Sequence, residues 1–211
     1  MLKEPRAHSI RVVDGLVWMP LLSDEERGRA RRFRFQADVD RFVAARGALR
    51  HHLGAALAVD PHTLSFDTGP FGKPYVIGQE HMQFNVSHSG DWVLIAISRR
   101  GPVGVDVELA RPDLNVLELG ATVFTNGELV ALSVLAAHAA RSAFFRLWTR
   151  KEAALKAWGV GLSLDPRSIQ VGIDEAPTRV VRAPFAAFPP ATVSDIAVDA
   201  MHSAAVAHCD G

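Results

Sequence analysis

One helix–loop–strand unit occurs twice in this chain, at a separation of 105 residues. Residues 41–54 align without a gap on residues 146–159, and an Asp-Pro pair follows each copy, at Asp60 and at Asp165. A chance likeness between two ordinary units is the alternative explanation. The glycine and Asp-Pro positions stay in register, however, and most substitutions keep the kind of side chain. The duplication predicts two similar halves.

Each copy has the pattern of a helix that packs on a sheet. The apolar residues at helical spacing are Phe42, Ala45, Leu49 and Leu53, then Leu147, Ala154, Leu155 and Trp158. Strand-like runs follow at residues 84–86 and 92–98 in the first half, and at 193–198 and 204–207 in the second. We therefore predict an α+β pseudo-dimer, each half a helix on a mostly antiparallel sheet, with halves at residues 1–101 and 102–211.

Two further helices have a predicted start. Ser23 and Glu26 have the spacing of a capping box, in which a hydroxyl and a carboxylate satisfy the first free amides of a helix. Thr125 and Glu128 repeat that spacing at the beginning of the second half. One short helix is therefore expected before each repeated unit.

Composition excludes several classes of protein. Basic and acidic residues number 23 each, so no whole-molecule charge favours nucleic acid. The single cysteine, Cys209, cannot form an internal disulfide. The first residues lack the apolar core of a signal peptide, and the apolar run at residues 92–97 is too short to cross a bilayer. We expect a soluble, cytoplasmic protein that binds neither nucleic acid nor a membrane.

Two carboxylates lie on one face of a predicted strand. In residues 103–108 the valines alternate with Gly104, Asp106 and Glu108, so both carboxylates point the same way. Such a pair repels unless a cation or water lies between its members. Mg²⁺ suits a few hard oxygen ligands with positions left open for phosphate, and Gly104 leaves room for a close ligand. A polar strand face in solvent is the alternative.

A third carboxylate lies on the second repeated helix. Trp148, Glu152 and Lys156 are four residues apart and share one helical face, and Lys151 projects beside Glu152. A surface helix with a Glu152–Lys156 pair would explain the charges. It would leave Trp148 on the same stripe unexplained.

Candidates for binding phosphate come mainly from the first half. Lys73 lies between Gly72 and Pro74, two residues that restrain the backbone. Arg46 and Arg50 are four apart on the first repeated helix. The run Ser87-His88-Ser89 follows a strand, where hydroxyls and an imidazole can converge on an anion. Beside an acidic metal site, these groups describe a pocket for a polyphosphate ester.

The sequence resembles the Sfp-type 4′-phosphopantetheinyl transferases. Five pieces match in order: residues 72–74, residues 84–89, residues 103–108, the Phe-Thr-x-x-Glu run at 124–128, and the Trp-Thr-x-Lys-Glu-Ala-x-x-Lys run at 148–156. The likeness is loose before residue 40, where Glu26 lies at a position that is basic in some relatives. It ends near residue 170.

The resemblance implies a function and a set of site residues. It implies transfer of the 4′-phosphopantetheine group of coenzyme A to a serine of an acyl or peptidyl carrier protein, with release of adenosine 3′,5′-bisphosphate. By the same resemblance, Mg²⁺ is held by Asp106, Glu108 and Glu152. Coenzyme A is contacted by the residues Arg46, Gly72, Lys73, Pro74, Ser87, His88, Lys151 and Lys156.

The resemblance also implies catalytic roles and a partner surface. Glu152 is the candidate general base, and Lys156 would neutralise charge on the phosphate oxygens. Carrier protein would dock near residues 114–132. Since both halves of the cleft come from one chain, a monomer would suffice. The rival hypotheses are a silent binding protein for coenzyme A or a carrier protein, and a metal-dependent phosphohydrolase or nuclease.

Overall fold

A computed structural model describes residues 5–12, 15–174, 178–181 and 188–209. The first half contains β1 (Arg6–Arg11), α1 (Gly15–Trp18), α2 (Asp24–Ala30), α3 (Gln36–Leu57), β2 (Phe66–Thr68), β3 (Pro74–Val76), β4 (Gln83–Ser89) and β5 (Trp92–Ser98). The second half contains β6 (Val103–Leu109), α4 (Val116–Val123), α5 (Asn126–Ser133), α6 (Ala137–Trp158), β7 (Thr178–Val181), β8 (Ala191–Asp195) and β9 (His202–Cys209).

The part of the chain that the structure describes forms three antiparallel sheets. The first half has a sheet of order β1-β5-β4 and the small pair β2-β3, and the second half has a sheet of order β6-β9-β8-β7. Each recorded strand pairing is antiparallel. The prediction of mostly antiparallel sheets is confirmed. Three strands, β1, β3 and β7, were not predicted. Of the β-rich runs expected after the two Asp-Pro pairs, at residues 64–66 and 169–171, only the first overlaps a strand, β2.

A long helix packs on a sheet in each half. In the first half, Leu49 and Leu53 of α3 are buried against the side chains of β4 and β5. In the second, Leu147 and Leu155 of α6 are buried with residues of β8 and β9. Both helices have 22 residues. The predicted pseudo-dimer, a helix on an antiparallel sheet in each half, is therefore confirmed.

The two predicted capping boxes are present at the helices that precede the repeated units. The Ser23 hydroxyl accepts from the Glu26 amide at the start of α2, while Glu26 Oε2 accepts from the Ser23 amide at 2.8 Å. Thr125 and Glu128 make the same reciprocal contacts at the start of α5. In both cases the glutamate has a second role deeper in the protein.

In the first half, that second role is an ion pair with α3. Glu26 accepts from Arg50, whose side chain is buried. The Arg50 guanidinium also donates to the carbonyl oxygens of Pro61 and Leu64, at 2.8 and 3.0 Å. One buried arginine thus joins the short helix, the long helix and the loop after it.

The second half builds the same junction with different residues. Glu128 pairs with Lys151 of α6 at 2.8 Å. Lys151 Nζ also donates to the carbonyl oxygens of Pro166 and Ile169, each at 2.7 Å. These two carbonyls lie 105 residues after those that Arg50 contacts. The duplication therefore extends from the sequence to the buried hydrogen bonds.

The halves join where β4 lies beside β6. The side chains of alternate β4 residues accept from the backbone amides of β6, Asn85 from Val105 and Ser89 from Leu109, at 2.9 and 3.0 Å. Ser87 accepts from the amide between them. Because partners differ by a constant 20 residues, the two strands run in the same direction. A buried apolar cluster from β5, β6 and β9 lies under this junction.

Candidate active site

The two strand carboxylates lie at the junction between the halves. As predicted from the alternation of β6, Val105 and Val107 are buried in the apolar cluster while Asp106 and Glu108 share the other face. Asp106 is only 2% exposed. Its Oδ1 accepts from the Ser87 hydroxyl at 2.8 Å. β4 of the first half therefore holds a carboxylate of the second.

The third carboxylate comes from α6. Glu152 and Lys156 face β6, and Lys156 Nζ lies 2.6 Å from Asp106 Oδ1 and 3.8 Å from Glu152 Oε2. Trp148, one turn earlier, lines the same small cavity as Glu108, and its indole lessens the rise that burial causes in the pKa of that carboxyl. The stripe of three residues spaced four apart thus contacts both strand carboxylates. This contact explains why a tryptophan lies on the charged face.

Gly104 sets the distance between α6 and β6. A Cβ atom at this position would collide with the carbonyl oxygen of Ala153 and the amide of Ala157. The helix backbone therefore packs directly on the strand. The interpretation that Gly104 leaves room for a ligand is wrong, because the helix fills that space. Gly104 acts indirectly, by letting Glu152 and Lys156 come close to Asp106.

The three carboxyl groups are shielded from solvent, and this burial raises the pKa of each. Burial raises the pKa of Asp106, against the opposing effects of Lys156 and Ser87. Burial and the charge of Asp106 raise the pKa of Glu108. Burial raises the pKa of Glu152 to about 7; Lys156 opposes this shift, and the two strand carboxylates add to it. Three acids near one ammonium form a site short of positive charge.

The donor set fits a divalent cation. Asp106 Oδ2 and Glu152 Oε1 are buried and have no hydrogen-bond partner, an arrangement that is costly unless a cation or water completes it. Across the described residues, no three acidic, histidine or cysteine side chains are yet arranged as metal ligands. Lys156 takes one oxygen of Asp106 instead. The hard oxygens of these carboxylates match the ligand chemistry of Mg²⁺.

Lys151 has a structural place rather than the predicted one. Its side chain is 0% exposed, and its ammonium is bound by Glu128 and two backbone carbonyls. It therefore cannot lie beside the pyrophosphate of coenzyme A, and that prediction is wrong. Neighbouring positions on a helix point about 100° apart, so Lys151 points into the core while Glu152 points to β6.

Lys73 also points inwards. Its Nζ donates to the carbonyl oxygens of Val103, Lys156 and Ala157, at 3.0, 3.0 and 3.2 Å. All three of its donors are used, and burial lowers its pKa to about 8. The structure contradicts the prediction of a positive charge presented to phosphate, because Lys73 binds the C-terminal carbonyls of α6. Lys73 is flanked by Gly72, in the bend before it, and by Pro74, the first residue of β3.

The Ser-His-Ser run divides between two faces of β4. Ser87 and Ser89 face β6 and contact the carboxylates, since Ser89 donates to Glu108 at 3.2 Å. His88 points the other way and is exposed. Partial burial of the imidazole, followed by the charges of Arg41 and Lys156, lowers the pKa of His88. Ser87 is thus a support for Asp106, and His88 is the member of this run that is open to a ligand.

Arg46 lies in a cavity of about 370 Å³ between α2, α3 and the start of β2. The Arg46 guanidinium lies over the Phe66 ring, 4.2 Å from its centre, and its Nε lies 2.5 Å from Glu26 Oε1. A smaller cavity of about 190 Å³ opens beside Glu108 and is lined by Phe144, Phe145 and Trp148.

Sequence reasoning missed Asn85, and it named Ser89 only as a possible contact for an anion, not as a support for Glu108. Their signal was present in the alternation of Asn85, Ser87 and Ser89, which places three polar side chains on one strand face opposite three backbone amides. The pairing of Glu26 with Arg46 and Arg50 was also missed. The repeated capping boxes were its only signal, since the partners lie 20 and 24 residues apart.

The chain matches known families over both halves. Residues 102–207 match the 4′-phosphopantetheinyl transferase superfamily, and residues 14–100 match the family described as 4′-phosphopantetheinyl transferase, N-terminal. The chain belongs to the 4′-phosphopantetheinyl transferase superfamily. This membership confirms the resemblance that the five motifs indicated.

Three relatives show how far the similarity extends. The chain is 38% identical over 145 residues to the 4′-phosphopantetheinyl transferase HetI of Nostoc sp., covering 67% of this chain and 61% of the relative. It is 35% identical over 166 residues to psf-1 of Bacillus pumilus, covering 78% and 70%. It is 30% identical over 158 residues to Sfp of Bacillus subtilis, covering 75% and 69%. The chain spans about three fifths of the length of HetI.

Proposed function

We propose that this protein transfers the 4′-phosphopantetheine group of coenzyme A to a serine of an acyl or peptidyl carrier protein, in a Mg²⁺-dependent reaction that releases adenosine 3′,5′-bisphosphate. The observation that carries the proposal is the cluster of buried Asp106 with the partly buried Glu108, Glu152 and Lys156 at the junction of the halves, in which two carboxylate oxygens have no partner. Family membership supports it.

In this reaction a serine hydroxyl of the carrier protein attacks the β-phosphorus of coenzyme A. The new bond is from the serine oxygen to phosphorus, and the bond from phosphorus to the bridging oxygen breaks. Glu152 is the candidate acceptor of the hydroxyl proton, because its pKa of about 7 suits a base that operates at neutral pH. Lys156 would stabilise the negative charge on the departing phosphate.

Mg²⁺, when bound by Asp106, Glu108 and Glu152, would neutralise charge on the pyrophosphate. Lys156 now occupies Asp106 Oδ1 at 2.6 Å, and it would turn from the carboxylate to the phosphate as the site fills. Ser87 and Ser89 would keep the strand carboxylates in place. A carboxylate bound directly to a metal is a weak base, so Glu152 would accept the proton through a water if it also binds the ion.

We place the nucleotide of coenzyme A along α3. His88, exposed at one end of this path, and Arg46, in the 370 Å³ cavity, are the predicted ligands that remain accessible. The aromatic rings of Phe42 and Phe66 line the same cavity, which suits a planar base carrying anionic groups. The predicted contacts of Lys73 and Lys151 are not part of this proposal.

We place the carrier protein on α4 and α5, within the predicted residues 114–132. Leu117, Leu119 and Val130 are large apolar side chains exposed there, at 42%, 38% and 65%. Such a patch is unusual on a surface that meets only water.

Within the described residues, no helix has the length and apolarity to cross a membrane. We propose a cytoplasmic monomer, because one chain supplies both walls of the site.

The test is incubation of the protein with coenzyme A, Mg²⁺ and an apo carrier protein, read by intact mass. A gain equal to one phosphopantetheine group on the carrier is expected. An unmodified carrier with intact coenzyme A would support the binding-protein rival. Hydrolysed coenzyme A with an unmodified carrier would support the phosphohydrolase rival.

A further inference from the structure

The wall of the 370 Å³ cavity contains a carboxylate that binds two arginines. Arg46 Nε lies 2.5 Å from Glu26 Oε1, and Arg50 contacts both Glu26 oxygens, at 2.7 and 3.1 Å. Glu26 is 7% exposed. Burial alone would raise the pKa of Glu26, but the hydrogen bonds from Arg50, Ser23 and Arg46 lower it. The carboxylate is therefore a permanent anion inside a cationic pocket.

The second half shows what this junction looks like without a pocket. Glu128 has Lys151 as its cation, and its other oxygen accepts from the Val171 amide at 2.8 Å. The residue 105 positions before Val171 is Phe66, whose ring lies under Arg46 instead. Compared with the Glu128 junction, the Glu26 junction has a second arginine, and it lines the 370 Å³ cavity. A purely structural ion pair needs neither.

The charges that line the cavity leave a small positive excess. Arg29, Arg46 and Arg50 line it together with Glu25 and Glu26. Arg29 lies over the Phe42 ring at 5.1 Å and pairs with no carboxylate of the described residues. Without Glu26 the excess would double. The position of this one carboxylate therefore decides how strongly the cavity attracts an anionic group.

We propose that Glu26 sets the donor specificity of this enzyme: because its carboxylate engages Arg46 and Arg50, the protein distinguishes coenzyme A only weakly from 3′-dephospho-coenzyme A. The inference rests on the proposed function and on placing the nucleotide of the donor in this cavity. A 3′-phosphate there would compete with Glu26 for the same guanidinium groups. The donor that lacks this phosphate leaves the existing ion pairs undisturbed.

The test compares kcat/KM for the two donors in the wild-type protein and in Glu26→Gln. Glutamine keeps an oxygen for the capping box and removes the charge. We expect a wild-type preference for coenzyme A below about tenfold, and a preference about tenfold larger or more in Glu26→Gln, through KM for coenzyme A. Glu128→Gln is the matched control, since it makes the same change in the equivalent junction away from the cavity, and its preference should equal that of the wild type.

A binding measurement keeps the inference separate from the proposed function. The affinities of adenosine 3′,5′-bisphosphate and AMP are measured by calorimetry in the same three proteins, without a carrier. Two results would overturn the role of Glu26. One is a wild-type protein that binds adenosine 3′,5′-bisphosphate more than about a hundredfold more tightly than AMP, and the other is the same ratio of the two affinities in Glu26→Gln as in the wild type. Absence of binding by either nucleotide would overturn it too. If the two nucleotides bind with the expected ratios of affinity but neither donor supports transfer, the transferase activity is refuted and the role of Glu26 stands.

Discussion

At the scale of single residues, the same kind of side chain has opposite roles in this protein. The ammonium of Lys156 contacts the carboxylates at the junction, while those of Lys151 and Lys73 donate hydrogen bonds to buried backbone carbonyls. Spacing on a helix or strand is local information, and it placed Asp106, Glu108, Glu152 and Lys156 correctly together. The partners of Lys73 lie 30 or more residues away in the chain, so no local pattern around Lys73 indicates them.

Lys73→Met tests the role of this lysine as a link between the halves. The variant leaves the last carbonyls of α6 without a donor, so we expect the free energy of unfolding to fall by about 2 kcal/mol. The affinity for coenzyme A should stay within about twofold of the wild type at low and high salt. Denaturant unfolding and calorimetry measure the two quantities. A stable variant with weak, salt-sensitive binding would restore the phosphate role of Lys73.

At the scale of secondary structure elements, the contact of α6 with β6 positions the site. The sequence predicted both elements, because their apolar periods are clear. It misassigned Gly104, since a glycine in a strand leaves space equally well for a ligand or for another backbone. The missed strand β1 lies at the edge of its sheet, where a short half-exposed run carries little periodic signal.

Gly104→Ala is expected to push α6 away from β6. A methyl group there meets the backbone of Ala153 and Ala157, which cannot rotate aside, so the free energy of unfolding should fall by about 3 kcal/mol. Transfer should fall as well, because Glu152 and Lys156 move with the helix. Gly28→Ala is the control: its Cβ meets nothing within 4 Å, and in α2 it should stabilise by up to about 1 kcal/mol. Equal melting temperatures for the two variants would contradict this packing.

The contact of β1 with α3 should weaken in acid. The His8 and His52 rings are stacked with centres 3.8 Å apart, and burial, then His8 and His51, lower the pKa of His52 to about 4. Between that value and the ordinary value near 6.5, the unfolded chain binds more protons than the folded one. Stability from the neutral His52 is thus complete above about pH 6.5 and is lost as the pH falls towards 4.

His52→Phe removes that titration while keeping a ring in the stack. Its loss of stability from pH 7 to pH 5 should be smaller than that of the wild type by about 1 kcal/mol, allowing for partial exposure of the histidine. Thermal unfolding at the two pH values measures the difference. Identical pH dependence of stability in both proteins would show that burial does not keep His52 neutral in the folded protein.

At the scale of the whole molecule, the candidate active site forms where two halves of one chain meet. β4 of the first half supplies the hydroxyls, and β6 and α6 of the second supply the carboxylates. The duplication made this architecture predictable from the sequence. The differences between the halves were not predictable in the same way, because they depend on which buried ion pair closes each junction, Glu26 with two arginines or Glu128 with Lys151.

We propose that Asp106, Glu108 and Glu152 hold one divalent cation at this junction. The test counts bound Mn²⁺ by electron paramagnetic resonance in the presence of coenzyme A. It compares the wild type with Asp106→Asn and with Asp113→Asn, a change at an exposed aspartate. We predict one tightly bound ion per chain in the wild type and in Asp113→Asn, and its loss in Asp106→Asn, with melting temperatures showing that all three are folded. If the folded Asp106→Asn protein binds Mn²⁺ as tightly as the wild type, Asp106 is not a ligand of the ion and the proposed metal site is wrong.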